Sequence, residues 1–164
     1  MKTIVAPIDF SPVTDRVFDT AAGLAEALRS RIVLLHVIPP PRLTSAGSHS
    51  PEAMQETIAT NEQNAARQLA RYEKRLLLDR LNVSKLLLHG EPAPSILEWS
   101  AKLGASFVVM GSHGHGDIAG RLIGGTTEGV LRKASCAVLI VPHPKISRSR
   151  PPWPEAKGET RPVF

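Results

Sequence analysis

Residues 111–127 read GSHGHGDIAGRLIGGTT, and this glycine-rich stretch separates two segments of regular pattern. An apolar run, Phe107–Met110, predicts a strand before it, and Thr127–Lys133 predicts a helix after it. Glycine lets backbone N–H groups approach an anion closely, and the helix N-terminus adds partial positive charge. The six glycines stand at positions 111, 114, 116, 120, 124 and 125. The stretch therefore predicts a phosphate or nucleotide site at a strand-to-helix junction.

The rest of the chain alternates between strand-like and helix-like periodicity. Short, mostly apolar runs predict five strands: Thr3–Ile8, Ile32–Val37, Val83–His89, Phe107–Met110 and Ala137–Val141. Apolar residues spaced three or four positions apart predict helices after Ser11, over about Pro51–Arg80 and Pro94–Leu103, and over Thr127–Lys133. This alternation predicts an α/β fold, a five-stranded doubly wound parallel sheet with helices on both faces. In such a sheet, ligands bind beyond the carboxyl ends of the strands.

Local signals predict where two of these helices begin or end. Ser11 is a good N-cap residue and Pro12 suits the first helical position, so we expect the first helix to start there. Gly104 is expected to end the helix that precedes the fourth strand.

The formal net charge of +5 is unevenly distributed along the chain. Residues 1–142 carry 15 basic and 13 acidic side chains, whereas residues 143–164 carry 5 and 2. A nearly balanced body gives no reason to expect nucleic-acid binding through phosphate neutralisation. Residues 143–164 also contain five prolines and no periodicity. We therefore predict one domain over residues 1–142, followed by a Pro-rich basic tail that is disordered or loosely docked.

The cysteine content and the lengths of the apolar runs indicate the cellular compartment. Every apolar run is shorter than the roughly 18 residues of a membrane-spanning helix, and no signal-peptide pattern opens the chain. A single cysteine, Cys136, can form neither an intramolecular disulfide nor a cysteine-based zinc site. We expect a cytoplasmic protein with no membrane interaction.

Three familiar motifs are only partly matched in the glycine-rich stretch. Gly114-x-Gly116-x-x-Ala119 fits a dinucleotide fingerprint but does not open a helix directly. Gly120-x4-Gly125 has Walker A spacing, but Thr126 stands where that loop needs its lysine. The His and Asp residues of HGHGD, positions 113–117, imitate a metal box without further converging ligands, so we expect no metal site there.

The spacing Gly111-x2-Gly114-x9-Gly124 resembles the G-2x-G-9x-G(S/T) nucleotide signature of the universal stress protein family. Three further segments match that family in order and spacing: TIVAPIDFS at the start, GEPAPSILEWSAKLGASFVVMGSHG, and EGVLRKASCAVLIVP at the end. The resemblance extends over residues 1–142. It implies an adenine-nucleotide-binding or regulatory cytoplasmic protein with an adenine-nucleotide α-hydrolase-like, Rossmann-like fold. It also implies a homodimer formed through the last strand, Ala137–Val141.

Carried over residue by residue, the resemblance implies a nucleotide site. It consists of Pro7, Asp9, Val37, Met110, Gly111, His113, Gly114, Gly124, Gly125, Thr126 and Thr127. Asp9 matches the position near the adenine and ribose, and Val37 matches the apolar position at the adenine. The Ser/Thr position of the signature is Gly125 here, so one hydroxyl donor to phosphate is missing. We expect Thr126 and Thr127 to replace it in part.

These observations favour a stress-response regulatory protein that binds ATP or another adenine nucleotide (ADP, AMP or cyclic AMP), with Mg²⁺ as an optional companion and a regulatory protein as a further partner. Two alternatives stay open. One is a slow ATPase or self-phosphorylating protein, although no Walker lysine, acidic magnesium pair or positioned base is evident, and we assign no catalytic residue. The other is a nucleotide-free dimeric interaction module, which the missing hydroxyl at Gly125 favours.

Overall fold

The computed structural model describes residues 1–40, 51–113 and 123–142. These residues form strands β1 (Thr3–Pro7), β2 (Arg31–Ile38), β3 (Val83–His89), β4 (Phe107–Gly111) and β5 (Ala137–Val141). The helices between them are α1 (Thr14–Leu28), α2 (Pro51–Leu78), α3 (Pro92–Lys102) and α4 (Gly125–Lys133). The predicted tail, residues 143–164, lies outside the described residues, and its state stays a prediction.

The described strands form one parallel sheet in the order β3-β2-β1-β4-β5. β1 is central and pairs with β2 on one side and β4 on the other. The chain builds the sheet outward from β1 to β3, then returns to the far side of β1 to add β4 and β5. The predicted α/β class with a doubly wound parallel sheet is confirmed.

The two faces of the sheet are covered by different helices, because successive strand residues point to opposite faces. In β1, Ile4 and Ala6 pack with residues of α1 and α2, whereas Val5 packs with Ile96 of α3 and Val130 of α4. The interiors of β1, β2 and β4 are buried on both sides, which is why they read as continuous apolar runs instead of alternating ones.

The predicted start of α1 is wrong by two residues. The helix begins at Thr14, and Val13 at the N-cap position has no side-chain group that could accept a hydrogen bond. Ser11 instead lies in a turn, where its carbonyl accepts from the Thr14 N–H at 2.9 Å. The acceptor for this turn is Asp9, whose Oδ1 receives the Ser11 N–H at 3.0 Å. The Asp9 carboxylate thus holds the turn that precedes α1, while α1 itself has no side-chain cap.

Two other helix starts are earlier than expected. α3 begins at Pro92 and not Pro94, with Glu91 as its N-cap residue, because proline is well placed in a first turn. α4 begins at Gly125 and not Thr127, after the N-cap Gly124. Gly104 follows α3 with a φ of +57°, as its expected role at the helix end requires.

Candidate functional site

A cleft of about 350 Å³ opens at the carboxyl ends of the strands. It lies where the strand order reverses, between β1 and β4, the position at which doubly wound sheets bind ligands. The ends of β1, β2 and β4 form its floor, and the first turns of α1, α3 and α4 form its walls. The site therefore depends on residues from all three parts of the chain that the structure describes.

Ten of the eleven predicted site residues line this cleft. They are Pro7, Asp9, Val37, Met110, Gly111, His113, Gly124, Gly125, Thr126 and Thr127. The eleventh, Gly114, lies outside the described residues. The structure thus brings distant segments together at one place, while their role in nucleotide binding stays a prediction.

Asp9 forms the polar side of the β1–α1 wall. Its Oδ1 accepts the Ser11 N–H at 3.0 Å and faces the Thr14 hydroxyl at 3.4 Å. These two donors hold the carboxylate near the N-terminus of α1, so the side chain faces the cleft in a defined orientation. A carboxylate held in this way can accept hydrogen bonds from hydroxyl or amino groups of a ligand.

The β4–α4 wall is built mainly from backbone. The Gly124 N–H donates to the Ser112 carbonyl at 2.7 Å, and the Thr127 hydroxyl donates to the Gly111 carbonyl at 2.8 Å. These bonds set the N-terminus of α4 beside the end of β4. The first N–H groups of a helix have no partner within the helix, so this end is suited to bind an anion.

The hydroxyls at the start of α4 differ in availability. Thr127 is buried, and its hydrogen is already directed to Gly111. Thr126 is exposed in the cleft. A Cβ on Gly125 would meet no atom of the described residues within 4 Å, so among these residues the position that lacks the hydroxyl has room for one. Of the two threonines expected to replace the missing donor, Thr126 is therefore the one that can.

Gly111 is required by close packing between the two walls. A Cβ at this position would lie 2.4 Å from Cγ1 of Val13, at the start of α1. Glycine therefore lets α1 and β4 meet directly behind the cleft. This is a structural reason for Gly111 in addition to its predicted place in the phosphate loop.

Sequence reasoning missed several cleft residues. His36, at the end of β2, lines the floor, and its Nδ1–H donates to the Ile8 carbonyl at 2.7 Å. Val13 and Ile96 line the walls because their helices begin there. Val13 could have been predicted to line the cleft, because α1 was expected to start just after Ser11. Ile96 could not, because it reaches the cleft only through the packing of α3.

The described part of the chain holds neither a group of metal-ligating side chains nor a membrane-spanning helix. Among residues 1–40, 51–113 and 123–142, no three His, Cys, Asp or Glu side chains are grouped so that they could hold a metal ion. Within the same ranges, every helix is too short or too polar to cross a bilayer.

Comparison with known proteins identifies the family. Residues 1–142 match the model of the universal stress protein family. The chain belongs to the universal stress protein family. The match covers the whole described sheet and both walls of the cleft, so the family resemblance of the sequence is confirmed.

Individual universal stress proteins are similar at modest identity. Universal stress protein MJ0531 of Methanocaldococcus jannaschii is 28% identical over 147 residues, covering 88% of this chain and 84% of the relative. The solved structure of hypothetical protein MJ0577 from the same organism is 26% identical, covers 86% of this chain and 95% of its own, and superposes with a TM-score of 0.75.

Two other solved universal stress proteins hold nucleotides. One, in complex with cAMP, is 22% identical with a TM-score of 0.65 and covers 87% of this chain and 97% of its own. The other, from Archaeoglobus fulgidus in complex with dAMP, is 20% identical with a TM-score of 0.60 and covers 85% and 97%. At these identities the likeness shows that the fold is shared.

Proposed function

We propose that this protein binds an adenine nucleotide in the cleft between β1 and β4 and acts as a cytoplasmic regulatory protein of the stress response. The observation that carries the proposal is the meeting of Asp9, Val37 and the N-terminus of α4 around one cleft. This gives a polar group for a base or ribose, an apolar surface for a base, and backbone donors for a phosphate. The cAMP and dAMP complexes of two family members support the same ligand class.

The phosphate end of the cleft determines which nucleotide is preferred. Backbone N–H groups at the start of α4 and the Thr126 hydroxyl are the donors there, while Thr127 is committed to Gly111. One fewer hydroxyl weakens binding by about 0.5–1.5 kcal/mol for a neutral hydrogen bond, more for a charged acceptor. The preference among ATP, ADP, AMP and cyclic AMP, with or without Mg²⁺, follows from how many phosphates these donors hold.

A second candidate is a dimeric interaction module that works without nucleotide. It is favoured by Gly125, which lacks the hydroxyl of the family signature, and by the engaged hydroxyl of Thr127. A third activity, slow ATP hydrolysis or self-phosphorylation, would require a base at the cleft, and Asp9, His36 and His113 are titratable residues that line it.

Calorimetric titration of the nucleotide-stripped protein tests the first two candidates. ATP, ADP, AMP and cyclic AMP are titrated with and without Mg²⁺ into the wild type and into Gly125→Ser. The matched control is Gly23→Ser in α1, because an added Cβ on Gly23 also meets no atom of the described residues within 4 Å, and Gly23 does not line the cleft. We expect micromolar binding in the wild type, tighter binding in Gly125→Ser, and no change in Gly23→Ser.

Other outcomes separate the candidates. Binding that occurs only in Gly125→Ser would favour the nucleotide-free module. No binding by either protein at millimolar ligand would contradict the nucleotide proposal. Phosphate release in single-turnover assays that disappears in Asp9→Ala would establish the slow ATPase.

We further propose that β5 joins two copies of the chain. β5 ends the sheet on one side, and within it Leu139 is 41% exposed, while Leu131 of the neighbouring α4 is 47% exposed. An unpaired apolar edge strand invites association with another strand. The exposed leucines give such a dimer an apolar contact beyond the backbone hydrogen bonds.

Sedimentation of the wild type and of Leu139→Lys tests the dimer. A lysine on an edge strand opposes strand pairing, so we expect a dimer for the wild type and a monomer for the variant. Leu78→Lys is the matched control, since Leu78 is 74% exposed at the end of α2, away from β5. A wild-type monomer at tens of micromolar would contradict the proposal.

A further inference from the structure

Phe10 has a backbone conformation that an aromatic residue rarely adopts. Its φ is +60°, in the left-handed region. Among the described residues other than glycine, Arg29 and Arg80 also have positive φ. Those two follow the ends of α1 and α2, where a left-handed residue is an ordinary helix stop. Phe10 lies instead between β1 and α1, so its conformation needs another explanation.

The Phe10 ring supplies contacts that hold this conformation. Its centroid lies 4.5 Å from the His36 ring and 6.4 Å from the Tyr72 ring, with the latter nearly parallel. The side chain is partly buried against the core beneath α1 and α2. A strained backbone persists when surrounding contacts determine it more strongly than local preference opposes it. Here those contacts come from β2 and α2.

The left-handed residue determines where Asp9 points. Because the chain reverses at Phe10, the Ser11 N–H returns to Asp9 Oδ1 at 3.0 Å, and Thr14 is brought to 3.4 Å from the same oxygen. Phe10 itself does not line the cleft, whereas Asp9 and His36, on either side of it in space, both do. The φ of Phe10 sets the direction in which the chain continues to Ser11, and therefore where the Ser11 N–H lies relative to the carboxylate.

We propose that Phe10 is a positioning residue for the nucleotide site, whose left-handed backbone holds the Asp9 carboxylate in its binding orientation. The consequence for binding rests on the proposed function. The ring locks the turn before ligand arrives, so the binding-competent orientation of Asp9 is already populated. If only a fraction of the protein molecules held Asp9 in that orientation, the apparent dissociation constant would be the intrinsic constant divided by that fraction.

Two substitutions at position 10 separate the backbone from the ring. Phe10→Ala and Phe10→Gly both remove the ring, but only glycine adopts the left-handed conformation without a Cβ penalty. The comparison uses whichever of the four adenine nucleotides the wild type binds best. We expect its dissociation constant to be about five- to thirty-fold larger for Phe10→Ala than for Phe10→Gly. Arg29→Ala and Arg29→Gly are the control pair, because Arg29 is left-handed but remote from the cleft, and their affinities should be equal.

A double-substitution cycle tests whether Phe10 acts through Asp9. In the Asp9→Ala background, Phe10→Ala and Phe10→Gly should bind equally, because no carboxylate remains to be positioned. A difference that persists undiminished in that background would overturn the proposal, as would equal affinity of the two single variants. If Phe10→Ala does not fold, Phe10→Leu replaces it, since leucine keeps apolar volume and also disfavours positive φ.

A measurement without nucleotide keeps the two proposals distinguishable. The Ser11 amide should exchange its hydrogen faster in Phe10→Ala than in Phe10→Gly, because its bond to Asp9 is lost in the former. Equal exchange would overturn the positioning role whatever the protein binds. If the exchange differs as expected but the wild type binds no adenine nucleotide, the proposed function fails and the control of Asp9 by Phe10 stands.

Discussion

The β1–α1 and β4–α4 junctions face each other across the cleft and are built in different ways. At the first, side chains determine the geometry, with the Asp9 carboxylate receiving Ser11 and the Phe10 ring packing on His36. At the second, the Gly124 N–H donates to the Ser112 carbonyl, and Gly111 leaves room for the Val13 side chain. The two walls therefore offer different groups to a ligand, since one presents a fixed hydrogen-bond acceptor and the other presents backbone donors.

The two junctions should also respond differently to substitution. A junction made by side chains loses individual interactions when one residue changes, so its losses are moderate and local. At a junction built from glycines, the loss depends on how near the neighbouring atoms lie to the added Cβ. The following substitutions test this contrast.

The largest effect is expected for Gly111→Ala, where the junctions touch. The added Cβ would lie 2.4 Å from Val13 Cγ1, so the Val13 side chain or the backbone that carries it must move. We expect the free energy of unfolding to fall by about 1–3 kcal/mol in denaturant titration, as for other overpacked sites. Gly124→Ala is the control, since its nearest neighbours lie at an ordinary 3.5 Å, and an equal loss in both would contradict the steric argument.

A smaller loss is expected for Thr127→Val, which removes the hydroxyl that donates to the Gly111 carbonyl. We expect about 1 kcal/mol less stability, measured by the same titration, because the carbonyl loses a partly buried partner. Thr127→Ser keeps the hydroxyl and should retain most of the stability. Thr126→Val, at an exposed position, should leave stability unchanged and weaken nucleotide binding instead. The reverse pattern would contradict the assignment of the two hydroxyls.

At the side-chain junction, Asp9→Ala should lower the free energy of unfolding by about 0.5–1 kcal/mol, because the Ser11 N–H loses its acceptor. Asp9→Asn keeps an acceptor oxygen and should be closer to the wild type in thermal unfolding. If Asn destabilises as much as Ala, the negative charge and not the hydrogen bond holds this turn.

The smallest expected effect is on the pH dependence of the unfolding free energy, and it comes from Tyr72 of α2, whose ring packs near Phe10 of the β1–α1 junction. Burial, followed by the hydrogen bond to Asp15, raises the pKa of Tyr72 above its ordinary value of 10.0. The folded state therefore favours the neutral hydroxyl, and this contribution is complete below pH 10 and lost as the pH rises above it. Tyr72 is the single tyrosine, so the fall in unfolding free energy above pH 10 should be smaller in Tyr72→Phe. Identical profiles would contradict the role of Tyr72.

Several features of the site follow from local sequence pattern. The buried strands and the glycine-rich junction after Met110 were predictable, because strand length and glycine content act over a few residues. The start of α1 was not, since Ser11 has the chemistry of an N-cap but Asp9 competes for the same turn. His36 and Ile96 could not be assigned to the cleft, because their places depend on which strands and helices become neighbours.

The sequence by itself determined the alternating α/β pattern, the parallel sheet and the set of residues that resembles a nucleotide site. These depend on periodicity and on the chemistry of individual residues, which are local properties. Only the tertiary structure decided that Gly111 must be glycine because Val13 lies against it, that Thr127 is committed to Gly111, and that Phe10 is left-handed. Each of these depends on contacts between residues that are distant along the chain or on a backbone angle that those contacts impose, and neither is encoded in a short stretch of sequence.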